Sequence, residues 1–309
     1  MLAKSNLMTM MIGRSLTRRT PVNLYIRLNT WFWPWIPPQI SNSWPVRSYG
    51  RLFHRLVCRY AQRRQFTGTS FLRNRPQLEL MRRLVDRKLQ GSALKIAVLG
   101  CSIGADVYSI LFTIRSARPD LAVTLCAVDY SAEVLTVAKE ALYTNETCQL
   151  VGSSIFERMT DAEFREMFEG DTSRARVRSW IREGISWHLG DAGDPELVRG
   201  LGPQDIVVAN NFLCHMQQSQ AEYCLRNIAG LPRPGGYFFV TGIDLDVRTK
   251  VARELRWQPV TELIKQIHEG DLSVRRDWPY KWWGLEPLDV ERDDWQLRYA
   301  TVFQLNETG

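Results

Sequence analysis

The chain has 309 residues, 45% of them hydrophobic, and a formal net charge of +7, which allows one or two domains and a sizeable core. Its six cysteines contain no C-x-x-C pair and its four histidines have no metal-ligand spacing, which excludes a disulfide framework or zinc site and points to a reducing compartment, the cytoplasm. The charge is uneven: residues 1–78 hold 13 bases and no acid, leaving the remaining 231 residues at a net of −6, so the overall basicity is no argument that the body binds nucleic acid.

Residues 1–60 read as a basic N-terminal arm. The arginine-rich, acid-free stretch has the composition of an organellar transit peptide, and no clean apolar core precedes a small-residue cleavage site as a secretory signal would require. Its run Trp31 to Pro38 is aromatic and broken by proline, which excludes a transmembrane helix. Tryptophans beside arginines suit a peripheral membrane contact or an acidic partner. A disordered arm and an upstream stretch translated from a misassigned start are the competing readings. From Tyr49 to Arg64, Leu52, Phe53, Leu56, Val57 and Tyr60 recur at helical spacing opposite Arg51, Arg55, Arg59, Arg63 and Arg64.

Residues 61–93 form a helical lead-in: a polar turn from Gln65 to Asn74, then a helix from Pro76 to Leu89 burying Leu78, Leu80, Met81 and Leu84. At Leu94 the pattern changes. Ile96 to Leu99 is an apolar run that reads as a buried parallel strand. Gly100-Cys-Ser-Ile-Gly104 follows as a tight turn, and Val107, Ile110, Leu111 and Ile114 continue at helical spacing. Strand, glycine turn and helix make the first unit of a nucleotide-binding α/β sheet, because glycine permits the turn and the helix start offers unpaired amides. A second strand, Leu121 to Asp129, ends in an acid placed to hold ribose hydroxyls. The turn lacks G-x-x-x-x-G-K-[ST] and the full G-x-G-x-x-G, so a nucleoside without a diphosphate, such as S-adenosylmethionine, fits better than a nucleoside triphosphate or NAD. Cys101 has no positioned base and is not read as a nucleophile.

Ser131 can cap a helix that runs to Tyr143. Residues 145–184 are too long for a plain connection and read as an insertion, with a helix at Asp161 to Phe168 and a hairpin within Arg174 to Gly184. The third strand, Ile185 to Leu189, ends at Gly190-Asp191-Ala192. The fourth, Asp205 to Phe212, runs into polar residues. A helix at Ser219 to Ala229, a turn cluster and a fifth strand, Tyr237 to Gly242, follow. Arg248 to Leu255 and Thr261 to Glu269 read as helices, and Leu297 to Gln304 as a strand. Between them lies a tryptophan-rich stretch, 277–288, that suits either a pocket wall or core between the last two strands.

In order, these stretches resemble the class I S-adenosylmethionine-dependent methyltransferases, and within them the CheR-like family, which methylates glutamate side chains of bacterial chemoreceptors. The resemblance spans Gln65 to Asp244. Thr69-Ser-Phe-Leu-Arg73 looks like T-x-F-F-R, Gly100 to Ser109 like G-C-S-T-G-E-E-P-Y-S, and Ala127 to Leu135 like A-T-D-I-D-x-x-V-L. Trp187 to Asp191 lies where F-x-x-x-N occurs, and Ala209 to His215 where C-R-N-V-L-I-Y occurs. The resemblance implies a Rossmann-like α/β fold with a seven-stranded, mostly parallel sheet and helices on both faces. It implies an S-adenosylmethionine-binding domain over 94–309, with 145–184 as the small β-subdomain used in that family for docking.

Carried over by position, Thr69 and Arg73 would face the methionine end of the cofactor and the acceptor carboxylate. The turn residues Gly100, Cys101, Ser102 and Gly104, with Asp106, would line the cofactor. Asp129, with Tyr130 beside it, would hold the ribose, Asp191 and Ala192 would frame the adenine, and Asn210 and Asn211 would lie under the methionine. The family's paired acids are here Ala105 and Asp106, its arginine is Asn210, and its tyrosine near the acceptor is His215. The expected activity is methylation of a carboxylate, oriented by Arg73, of a protein or a small molecule. A hydroxyl acceptor would use His215 as base. A non-catalytic module binding the cofactor or its demethylated product, and an RNA methyltransferase recruited by the arginines, are the alternatives.

Overall fold

The structure, a computed structural model, describes residues 21–41, 43–61, 63–152, 154–270 and 275–305. The expectations for residues 1–20 of the basic arm lie outside the described residues. By compactness the chain divides into one unit of 1–64 with 272–287 and another of 65–271 with 288–309.

The larger unit carries the sheet. Its strands in chain order are β1 (Ala93–Leu99), β2 (Ala122–Asp129), β6 (Ile185–Leu189), β7 (Gln204–Asn210), β8 (Pro232–Thr241), β9 (Gln258–Pro259) and β10 (Val302–Gln304), with β3 to β5 in a second sheet. The seven lie in the order β6-β2-β1-β7-β8-β10-β9. The first five are mutually parallel and β10 is antiparallel to both its neighbours. This is the expected seven-stranded, mostly parallel Rossmann-like sheet. The strand order reverses between β1 and β7, and in such sheets ligands enter at the carboxyl ends of the strands at that switch point.

Alternation along β1 divides the core. Ile96 and Val98 face a layer that includes Leu80, Met81 and Leu84 of helix α4 (Arg75–Asp86) and Val107, Ile110, Leu111 and Ile114 of α5 (Ala105–Ala117). Ala97 and Leu99 face Ala221, Leu225 and Ile228 of α11 (Gln218–Ile228) and Val251 of α12 (Leu245–Glu254). Both faces are covered, which is why the strands read as continuous apolar runs.

Several boundaries move. The helix after β2, α6 (Ala132–Glu140), stops before Tyr143 because Ala141 takes a left-handed φ of 52°. Tyr143 belongs instead to β3 (Leu142–Thr144), which pairs with β5 (Arg174–Val177), itself paired with β4 (Phe168–Asp171). The inserted β-subdomain is therefore a three-stranded sheet that begins at Leu142, with α7 (Asn145–Val151) and α8 (Asp161–Met167) between β3 and β4. Residues 179–182 form a helical turn, α9 (Ser179–Arg182), not hairpin. Strand β7 ends at Asn210, since Asn211 turns out of it with φ 59°. Strand β8 reaches back to Pro232, with an irregularity between Gln204 and Ile206. Helix α13 (Ile264–Glu269) starts later than expected. Leu297 to Tyr299 are helical, in α14 (Trp295–Tyr299), so the last strand is only Val302–Gln304.

In the smaller unit the described residues between 21 and 60 are mostly helical. Helix α1 (Pro21–Phe32) runs through the 3-10 turn Trp33–Trp35, and α2 (Pro38–Ser41) leads to α3 (Trp44–Tyr60). Ile26, Trp33, Phe53, Val57 and Trp278 make this unit's core. Gly50 permits this packing, because a Cβ there would lie 2.4 Å from the Trp278 ring and 2.8 Å from the Trp33 ring. The tryptophan-rich stretch thus packs on these helices, not between the last two strands. Among the described residues no helix is long and apolar enough to cross a membrane.

Candidate functional site

The β1–α5 turn is tied down from three sides. Gly100 and Gly104 have φ of 67° and 85°, and a Cβ on Gly100 would meet the Phe212 side chain at 2.8 Å, so glycine is required there. The Cys101 amide donates to Val128 O at 3.0 Å. The Ser102 amide donates to Asp129 Oδ2 at 2.8 Å, and the Ser102 hydroxyl to Thr67 O at 3.0 Å. From the inserted sheet, the Tyr143 hydroxyl donates to Ile103 O at 2.7 Å. Gly104 then starts α5 with no side-chain cap, so the first amides of this 13-residue helix are left for a ligand.

Asp129, 7% exposed at the end of β2, accepts a second amide bond from Ser131 at 3.0 Å. Ser131 thus occupies the N-cap position of α6 without a side-chain cap bond. Asp129 joins the glycine turn to the next loop, which a contact with ribose alone would not require. Tyr130 is exposed, its hydroxyl donating to Gln65. Burial, with the Asp129 charge next in weight, pushes the Cys101 thiol well up, so a thiolate nucleophile does not form near neutral pH.

Arg73 is positioned by the residues before it. Thr69 is half-buried in the loop preceding Phe71. Phe71 packs edge-on against Tyr143 and Phe168, with centroids at 5.0 and 4.9 Å. The Leu72 amide donates to Ser109 Oγ at 3.0 Å, and Arg158 donates to the Arg73 carbonyl at 2.6 Å. Arg73 comes close enough to Asp106 for its charge to act there. Burial raises the Asp106 pKa and the Arg73 guanidinium opposes that rise.

At the end of β7, Asn210 is held from both sides. Its Nδ2 donates to Gln77 Oε1 at 3.0 Å and its Oδ1 accepts from the Thr241 hydroxyl at 2.9 Å. The Asn211 amide donates to Thr241 O at 3.0 Å. His215 is half-buried and closes the 3-10 turn Leu213–His215, its amide bonded to Phe212 O at 3.1 Å. At the end of β6, Asp191 is exposed and accepts from the Gly193 amide at 2.8 Å, and Ala192 is buried.

Ser102 bonds to Asp129 and the Arg73 charge acts on Asp106, while Tyr130 reaches Gln65 and Asp191 is engaged within its own turn. Gln77, Ser109 and Thr241 were not anticipated. For Gln77 a signal exists: it shares a helical stripe with Leu80, Met81 and Leu84, so a polar residue falls on a buried face. Ser109 lies within the glycine-turn motif.

Two features test the fit to S-adenosylmethionine. A carboxylate offers about four acceptor positions. The amides of Ser102 and Ser131 take two at Asp129, and the remaining two suit a pair of hydroxyls. Gln77 is 5% exposed, and its Nε2 has no hydrogen-bond partner among the described residues. A buried donor left in that state is costly unless a ligand or water meets it. Among the described residues no cluster of metal-ligating side chains occurs. The residues fit the cofactor.

Residues 67–249 match the family described as CheR methyltransferase, SAM binding domain. The chain is 28% identical over 186 residues to a Pseudomonas aeruginosa protein named Probable biofilm formation methyltransferase WspC. That match covers 60% of this chain and 42% of the relative, so the chain spans about two fifths of that protein's length. Among solved structures it is similar to PKMT2 from Rickettsia typhi in complex with AdoHcy, at 16% identity and a TM-score of 0.33, covering 61% of this chain and 29% of that one. It is also similar to SAM-bound CalS10, an amino pentose methyltransferase from Micromonospora echinaspora, at 12% identity and a TM-score of 0.30, covering 54% and 53%.

Proposed function

The chain belongs to the CheR methyltransferase family and is an S-adenosylmethionine-dependent methyltransferase, and on that premise we propose that its acceptor is a carboxylate, of a protein glutamate or of a small acid, oriented by Arg73. The observation that carries this reading is the Leu72 amide on Ser109 of α5 at 3.0 Å, which sets the neighbouring Arg73 against the uncapped helix near the half-buried Asp106, on which its charge acts. When bound, the cofactor supplies an electrophilic methyl group on a sulfonium. The chain's residues bind and orient. Asp129 takes the sugar hydroxyls through its free acceptor positions. The first turn of α5, with Asp106, takes the charged amino-acid end. Asp191 and Ala192 flank the base, and Asn210 and Asn211 line the methionine side.

A carboxylate is already a nucleophile, so the chain has to supply orientation, and a guanidinium does that with two parallel hydrogen bonds. Asn210 stands where the resembled motif has arginine, which leaves Arg73 as the orienting cation of this reading. A reducing cytoplasm suits the chain's six free cysteines. The test is transfer of tritiated methyl from S-adenosylmethionine into lysate of cells lacking this chain. The expected label is released as methanol by mild base, as from a carboxyl ester. In Arg73→Ala, turnover is expected to fall about a hundredfold or more while cofactor affinity changes little, the pattern of lost positioning. Base-stable label would exclude a carboxylate acceptor and favour His215 with a hydroxyl or amine. Cofactor binding without transfer to any fraction would favour a signalling module.

A further inference from the structure

Helix α1 is apolar on two sides. Its inner stripe, Val22, Tyr25 and Ile26, packs with Trp33 and Phe53. Its outer stripe, Leu24, Leu28 and Trp31, continues into Phe32 and Trp35, and these five are 60, 50, 63, 57 and 75% exposed. Ile40 and Trp44 add two more large apolar side chains at 53 and 76% exposure. A helix with a second, exposed apolar stripe beside the one it buries, and several large exposed aromatic side chains in the residues that follow, marks an interaction surface.

The charge of the helical segment that carries these side chains has one sign. Arg27, Arg55 and Arg59 are exposed, and residues 21–64 contain no acid. The unit's two acids among the described residues lie in the 275–287 segment, where Asp277 accepts the Trp283 indole N–H at 2.6 Å and Glu286 is 5% exposed. We propose that the outer face of α1, with Trp35, Ile40 and Trp44, is a bilayer-interface surface that seats this chain on anionic lipid. Exposed tryptophans interleaved with arginines are the side chains that rest at headgroup depth. The 12 residues of α1 are too few to span a bilayer, which takes about 20, so the helix lies in the plane of the surface. A second copy of the chain is a poorer occupant, since it would bring the same unbalanced positive charge to the contact. The surface is independent of the acceptor proposed above.

The test is sedimentation of the full chain with vesicles of phosphatidylcholine alone, or of phosphatidylcholine with phosphatidylglycerol, beside a variant carrying Trp31→Ser, Trp35→Ser and Trp44→Ser. All three side chains are exposed, so an unchanged melting temperature and unchanged S-adenosylmethionine affinity are expected of the variant. The native chain is expected to bind the anionic vesicles about tenfold or more tightly than the neutral ones, less tightly as salt rises, and the variant to lose about tenfold or more of that binding. Absence of binding to anionic vesicles, or equal binding by the variant, would overturn the proposal. So would a dimer in lipid-free solution that the variant dissociates, or binding to single-stranded RNA in place of vesicles.

Discussion

Two carboxylates near the glycine turn do opposite things. Asp129 accepts two backbone amides and fixes the turn. Asp106 sits where burial disfavours its charge and the Arg73 guanidinium restores only part of it. Its pKa is raised on folding, so the native state binds the proton more tightly than the unfolded chain. The ionised carboxylate therefore costs stability above the ordinary carboxylate range, and that cost vanishes as pH falls through it. Asp106→Asn is accordingly expected to raise the melting temperature near neutral pH, with the gap narrowing in acid, while S-adenosylmethionine affinity falls. Melting curves across pH check the first part and calorimetry the second; a lower melting temperature at neutral pH would contradict this account of Asp106. Asp129 and the two glycines are legible in sequence because strand, turn and next strand fix them within one local unit. Gln77 shows only as a polar residue on a buried stripe and Thr241 not at all, because their meeting with Asn210 spans 133 and 31 residues and no spacing rule reaches that far.

Among the elements, the inserted β-subdomain shows how packing overrides local pattern. Tyr143 continues a helical period, yet the left-handed Ala141 ends the helix and Tyr143 enters a small sheet with its hydroxyl on the glycine turn. Leu297-Arg-Tyr alternates like a strand, yet Arg298 lies 2.8 Å from Asp246, and those residues coil into α14. Helix α8 is set by a reciprocal cap between Thr160 and Glu163, and Glu163 also receives Arg75 at 2.5 and 2.7 Å. The Arg75 guanidinium, ahead of the Thr160 bonds, holds the Glu163 carboxyl down at about 2. A depressed folded pKa contributes stability above the unfolded value and loses it as pH falls through about 2. Because Arg75 is about half exposed, Glu163→Gln is expected to cost only about 1 kcal/mol or less at neutral pH. The deficit should shrink in acid, the reverse of the Asp106 trend, and denaturant titrations at two pH values would read it. A deficit that grows in acid would contradict the assignment.

For the molecule as a whole, the order of strands follows from the order of βα units, which is why the sheet could be anticipated from apolar runs and turns. The partner of the tryptophan-rich stretch could not. Trp278 joins Trp33 and Phe53 in one core, although more than 200 residues separate them, and no local composition announces that pairing. The account turns on the carboxyl ends of β1 and β2, beside the switch point, where Asp129 both holds the glycine turn and keeps two acceptor positions for the sugar of S-adenosylmethionine. Isothermal titration calorimetry of S-adenosylmethionine against the native chain and Asp129→Asn measures this most directly. The account predicts saturable binding that weakens about tenfold or more in the variant, the size of a lost charge-assisted hydrogen bond; equal affinity in the two proteins, or no binding by the native chain, would contradict it.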